Sequence, residues 1–439
     1  MKFAIQGARL INGDGYSDVP NSLILINQGI IEYAGKRKDI PLGYSIHNAE
    51  ECIVMPGIIN THTHGVIYGT PLFSSGSKPL TNEQVTKNIR KHLSQGTTTI
   101  VGVDGFALLD DIEKTNLDSP ITVYSTLTRT PKSYSSAKLV DGAGIRKQPL
   151  GETDFNHPLI VGLGEGGSGA TLGGGVQDYK FIPTAIKKRY GLDISEEEAN
   201  ALKIAILGRE IRTENYDPRK LNELMITLGL NTTNDELVNL IQNCVLPPFE
   251  DSVQSIIELY QQSQRADLPL VVHSAAPSIE TIDALIGDIN IKRGRLIAGH
   301  SNHPSYSLDE AIDNARRLKA KGVTIDISTF DTGNTHDETE LHYFNEMLRL
   351  GLVDTITTDY GGGDHSGILE LLKLAIDNGA VSLQEGIRLA TSNPAKAMPK
   401  IFSRGLIKPK QVADIILVDK EDISQVKKVF SRGNLVYQN

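Results

Sequence analysis

The sequence predicts an α/β protein built on a (β/α)8, or TIM, barrel, with a small β-sandwich-like domain made from both chain termini and a helical insertion. Three observations carry this expectation. Eight short apolar runs alternate with helical stretches through the middle of the 439-residue chain. Both ends carry short β-rich segments divided by turns, and one gap between runs, from Leu163 to Leu268, is far longer than the rest.

The apolar runs are Ile53–Asn60, Thr98–Val103, Ile121–Thr126, Leu159–Leu163, Leu268–Val272, Leu296–Ala298, Val323–Ile327 and Val353–Thr357. Strands that are apolar throughout are buried on both faces, which calls for a parallel sheet covered by helices. Eight strand–helix units fit a closed barrel; an open doubly wound sheet is the competing architecture. At the N-terminus, Lys2–Leu10, Ser22–Asn27 and Ile30–Tyr33 are β-rich and punctuated by Asn12-Gly13-Asp14-Gly15 and Gln28-Gly29. Ala413–Val418 and Lys428–Phe430 repeat the pattern at the other end. Neither end can bury much alone, so residues 1–51 and 400–439 are expected to share one composite domain, with the barrel over 52–399. The long gap, about 167–266, reads as helical. Ser195-Glu196-Glu197-Glu198 is a capping box, and Asp217-Pro218 is an N-cap followed by proline at the first helical position. It contains no histidine and is expected to act as a lid or a subunit contact.

Composition narrows the partners. Counting glycine and leaving out tyrosine brings the apolar share to about 45%, ordinary for a globular protein. The net charge is −9, and the densest basic cluster is only Lys187-Lys188-Arg189, so nucleic acid is not an expected partner. Two cysteines, Cys52 and Cys244, make neither a disulfide framework nor a zinc knuckle. No stretch approaches a membrane span and Met1–Leu10 lacks a signal peptide's apolar region, so the reading is a soluble, cytoplasmic protein.

The chemistry starts at Met55-Pro56-Gly57-Ile58-Ile59-Asn60-Thr61-His62-Thr63-His64. Residues i and i+2 of a strand share a face, so His62 and His64 point the same way and make half of a transition-metal site. The pattern recurs. The fifth run ends in His273, the sixth is followed by His300 and the eighth by Asp359, and barrel strand ends converge on one pocket. Gly164-Glu165-Gly166-Gly167-Ser168-Gly169 also spells a dinucleotide fingerprint, but no helix start or strand-end acid follows it.

These residues resemble the amidohydrolase superfamily of metal-dependent barrel hydrolases. The likeness extends to Gly96-Thr97-Thr98-Thr99, Thr391-Ser392-Asn393-Pro394-Ala395-Lys396, and the terminal Gly405-Leu406-Ile407 with Ala413-Asp414-Ile415-Ile416-Leu417-Val418-Asp419. Asn60 stands where aspartate is commoner, and Lys410 where a glycine often precedes Ala-Asp. The resemblance implies that His62, His64, His273, His300 and Asp359 are metal ligands. It also implies a bridging carboxylate after the fourth strand. No lysine stands there, so Glu165 takes that role, as in enamidase- and adenine-deaminase-like members. Ala276 occupies the position where mononuclear deaminases of the family carry glutamate, which favours two metals.

The ligand types fit two divalent ions, zinc first, with iron or manganese as alternatives. A metal lowers the pKa of its water from about 15.7 to about 7, so two metals sharing a hydroxide hold a nucleophile ready at neutral pH. Asp359 is the expected proton acceptor and donor. The expected activity is hydrolysis of an amide C–N bond, cyclic or attached to a heterocycle; the alternatives are deamination of an aminated N-heterocycle and a barrel that binds metal without catalysis. Strand-end candidates for substrate contact are Asp104, Arg129, Thr329, Asp331 and His303. Relatives are often homo-oligomers, and the same is expected here.

Overall fold

The structure is a computed structural model that describes residues 2–71, 78–141, 148–167, 172, 175–287, 295–329, 338–361 and 365–439. Eight parallel strands form its centre: β1 (Ile58–Thr63), β2 (Thr97–Gly102), β3 (Thr122–Leu127), β4 (Ile160–Gly166), β5 (Leu270–His273), β6 (Leu296–Gly299), β7 (Thr324–Ser328) and β8 (Thr355–Thr357). They neighbour one another in sequence order. The seam between the first and last is bridged by a parallel pairing of Thr63 with Tyr360. Asp359 N–H donates to His62 O at 3.0 Å and His64 N–H donates to Tyr360 O at 2.9 Å. Asn60 takes part in the seam, its Nδ2 donating to Thr358 Oγ1 at 2.7 Å. The sheet is therefore a barrel rather than an open doubly wound sheet, and its closure sets His62, His64 and Asp359 side by side.

The first apolar run is two strands, not one. Cys52–Pro56 pairs antiparallel with Ile415–Asp419 in a five-stranded terminal sheet, and the chain enters the barrel only at Ile58. The change of sheet falls at Gly57, where a Cβ would lie 2.2 Å from the Thr98 side chain. Only glycine lets the backbone cross so close to β2. Gly57→Ala is therefore expected to cost about 1–3 kcal/mol through overpacking, read as a lower denaturation midpoint; an unchanged midpoint would show that the crossing has room.

The five-stranded sheet faces a four-stranded one made of Ile30–Lys36, Ser22–Asn27, Lys2–Gln6 and Ser45–Asn48. Phe3, Ile5, Ile24 and Ile26 from one sheet pack on Val54, Ile415, Leu417 and Phe430 from the other. Phe3 and Phe430 stack with ring centroids 5.1 Å apart. Asp414 ties this layer together: its carboxylate pairs with the buried Arg404 and accepts the Arg432 N–H at 2.7 Å.

Between β4 and β5 the chain forms helices Ile182–Tyr190, Glu196–Leu207, Pro218–Thr227 and Asn234–Ala266. Ser195 and Glu198 make the reciprocal capping box, and the Asp217 carboxylate accepts from the Arg219 and Lys220 N–H groups. The last helix serves two cores. Leu237, Ile241 and Val245 pack within the insertion, whereas Ile256, Leu259 and Tyr260 belong to the barrel core. Among the described residues no helix is long and apolar enough to cross a membrane.

Candidate metal centre

The C-terminal ends of the barrel strands bring His62, His64, Glu165, His273, His300 and Asp359 together. Their possible ligand atoms form three groups, His62/His64/Glu165, His62/His300/Asp359 and Glu165/His273/His300, each with its members within 4.8 Å of one another. The first and third groups share only Glu165. Its Oε1 lies 2.9 Å from His273 Nδ1 and 2.8 Å from His300 Nε2, while its Oε2 lies 3.8 Å from His62 Nε2. Asp359 stands over the other half, with Oδ1 3.3 Å from His62 Nε2 and 3.5 Å from His64 Nε2.

Backbone geometry explains the placement. Gly164 has φ +113°, and a Cβ there would meet Val271 O at 2.3 Å, so only glycine can turn β4 here and present Glu165. His300 and Asp359 adopt φ +37° and +49°, in the left-handed region, at the turns that follow β6 and β8.

The carboxylates would draw a cation, and against the effect of burial they hold His64 well above its ordinary value and raise His300 to about 9. Burial drives the His62 imidazole down to about 4, against the pull of Asp359 and Glu165, so the ring is neutral and offers a lone pair. Burial opposes the charge on Glu165, but His273 overcomes it and holds the carboxyl well below its usual range. Asp359 is likewise opposed by burial and held at about 2 by His62 and then His300. Two ionised carboxylates are thus enclosed by imidazoles. His62 is 1% exposed, and neither ring nitrogen has a hydrogen-bond partner among the described residues. Such a buried polar group costs about 1–3 kcal/mol unless something satisfies it, and a divalent ion between His62, His64 and Glu165 would take up the lone pair of one of the two nitrogens. The donor set, imidazole nitrogens with carboxylate oxygens, suits zinc, iron or manganese.

Of the candidates for substrate contact, three are committed elsewhere. Asp104 accepts the Gly65 N–H at 3.0 Å and lies 3.4 Å from His64 Nδ1. It therefore orients a proposed ligand. Burial alone would pull His64 down, yet Asp104 and Asp359 together hold the ring well above its ordinary value. Arg129 is buried, with one nitrogen on Asp154 and another on Gln148 O at 2.8 Å. Thr329 Oγ1 donates to Ser366 O at 2.8 Å. Asp331 lies outside the described residues, as do 168–171 and 173–174 of the glycine-rich stretch. His303 does reach the site, its ring centroid 5.2 Å from that of His273 and 5.3 Å from that of His300.

Sequence reading missed Asp326. This buried β7 carboxylate accepts Thr355 Oγ1 at 2.7 Å, Thr357 Oγ1 at 2.8 Å and the His300 N–H at 3.3 Å. Burial pushes it up to about 7. The one signal was an acid inside an apolar strand, which only the structure connects to His300.

This barrel, with histidines and carboxylates at its strand ends that could hold a metal ion, has the form of a hydrolase. The profile of the Amidohydrolase family matches residues 165–436, and the chain belongs to that family. A dihydroorotase from Geobacter metallireducens is 24% identical, over 95% of this chain and 90% of its own. An adenine deaminase from Bradyrhizobium sp. is also 24% identical, over 37% of this chain, but the match spans only 27% of that protein. Among solved structures, the beta-aspartyl dipeptidase of Fervidobacterium islandicum AW-1 aligns with a TM-score of 0.62 at 15% identity, covering 100% of this chain and 96% of its own. The dihydropyrimidinase of Brevibacillus agri NCHU1002 aligns at 0.53 and 13% identity, covering 100% and 95%. These structural likenesses establish the fold.

Proposed function

We propose that this amidohydrolase cleaves the C–N bond of a small cyclic or heterocycle-linked amide at a binuclear metal centre. The observation that carries the reading is the position of Glu165, shared by two histidine pairs with Asp359 over one of them. His62 and His64 with Asp359 would hold one ion, His273 and His300 the other, and Glu165 would bridge them. Two divalent ions held there supply a water of lowered pKa and a Lewis acid for the carbonyl. Asp359 accepts the proton as the water oxygen bonds to the carbonyl carbon, and delivers it to the nitrogen as the C–N bond breaks. Asp104 keeps His64 in place through Nδ1.

Deamination of an aminated N-heterocycle is the second reading, favoured by the similarity to an adenine deaminase. A panel of cyclic amides, dipeptides and aminated heterocycles separates them. Ring-opened or cleaved acids without ammonia support the first, ammonia release supports the second, and an enzyme silent on the whole panel when metal-loaded overturns both.

The helical insertion is proposed to close over the rim. Arg209 donates to Ser305 O at 3.1 Å, beyond β6, and to Glu310 at 2.8 Å, and Arg212 pairs with Glu280 at 2.5 Å. Because Ile256 and Leu259 belong to the barrel core, the segment to exchange for a linker is confined to residues 182–246, none of which is in that core. That exchange is expected to raise KM about tenfold or more, roughly 1.4 kcal/mol of lost binding, with metal content retained. A folded variant that has lost its metals would contradict this role.

A further inference from the structure

The loop after β6 contains a histidine whose protonation is fixed by its neighbours. The Ser305 backbone N–H donates to His303 Nδ1 at 3.1 Å. A backbone N–H can only donate, so Nδ1 must carry a lone pair. Ser305 Oγ lies 2.8 Å from the same nitrogen. That oxygen already accepts the Ala276 N–H at 3.0 Å, which leaves its own hydrogen for Nδ1. The network joins the loop after β5 to the loop after β6, and both begin at proposed metal ligands, His273 and His300. A hydrogen on Nδ1 would face the Ser305 N–H directly, donor against donor. The neutral ring must therefore carry its hydrogen on Nε2, on the far side from Ser305.

We infer that His303 is held as an Nε2–H donor that hydrogen-bonds the carbonyl oxygen of the substrate as negative charge develops on it. The ring flanks His273 and His300, the half of the site away from the closest contacts of Asp359 with His62 and His64. A donor held in place before reaction requires no reorganisation as charge develops. Arg209 of the insertion, on Ser305 O, steadies the residue that orients the ring. The target named here rests on the amide reading given above; the donor assignment rests on the hydrogen bonds alone.

Two measurements test it. In zinc-loaded enzyme with 15N-labelled histidine, long-range proton–nitrogen correlations read the tautomer of His303, assigned by its loss in His303→Asn. The Nε2–H form is expected, and an Nδ1–H form or an imidazolium at neutral pH would overturn the assignment. In kinetics, His303→Asn, which can still face Ser305 but cannot reach the Nε2 position, is expected to lower kcat about tenfold or more. KM and metal content should change little. His303→Gln, whose amide can place an N–H near that position, should recover most of the loss; if His303→Asn fails to fold, His303→Gln supplies the signal assignment and the tautomer spectrum decides. Wild-type kcat in His303→Asn, or no difference between the two variants, would overturn the substrate contact. Wild-type enzyme silent on the whole panel overturns the hydrolytic reading and with it the carbonyl as target, while the tautomer spectrum still decides the donor.

Discussion

Asp359→Asn enzyme is expected to keep its metals and lose at least about a hundredfold in kcat. The asparagine preserves the shape of a side chain whose Oδ1 lies 3.3 Å from His62 Nε2 and 3.5 Å from His64 Nε2, and it leaves one oxygen to act as a ligand. Four histidines and Glu165 remain to hold the ions. What disappears is the basic carboxylate, which nothing else among the described residues replaces at that position. General acid–base catalysis typically contributes about 10²–10⁴-fold, roughly 3–5 kcal/mol at about 1.4 kcal/mol per tenfold. The check is kcat alongside metal content on the same preparation. Near-wild-type turnover in a metal-replete variant would refute the proton-transfer role.

Glu165→Ala should instead act on metal binding. Its two oxygens face different histidine sets, Oε1 towards His273 and His300, Oε2 towards His62. Removing it leaves one half with His62, His64 and Asp359 and the other with two histidines only. The second half is below the three protein ligands typical of a catalytic metal site. Stoichiometry is expected to fall from about two ions to about one, and activity with it, while the fold persists because the barrel core does not rest on this side chain. A folded variant that still holds both metals would show that Glu165 does not bridge.

The sequence made some of this architecture visible for definite reasons. Barrel strands are buried on both faces, by helices outside and by one another's side chains inside, so β2 to β8 stand out as short runs with few charges, and the i, i+2 spacing of His62 and His64 declares a shared face. The switch at Gly57 is hidden because the apolar stretch from Ile53 to Ile59 runs unbroken across it, and only the contact with Thr98 marks the crossing. The Asn234–Ala266 helix conceals its change of allegiance, since helical periodicity is the same on either side of Pro247-Pro248. Which candidate contacts are already occupied was also illegible. Arg129 meets Asp154 and Thr329 meets Ser366 through contacts between segments far apart in sequence, which no local pattern records. The Ser305 lock on His303 spans two residues, yet its meaning depends on Ala276 from another strand end.

The central claim is that six residues on β1, β4, β5, β6 and β8 or directly after them hold two metal ions around Glu165. Elemental analysis of the metal-reconstituted chain, dialysed free of loosely bound ions, tests it most directly. About two divalent ions per chain are expected, and one equivalent or fewer would contradict the binuclear account.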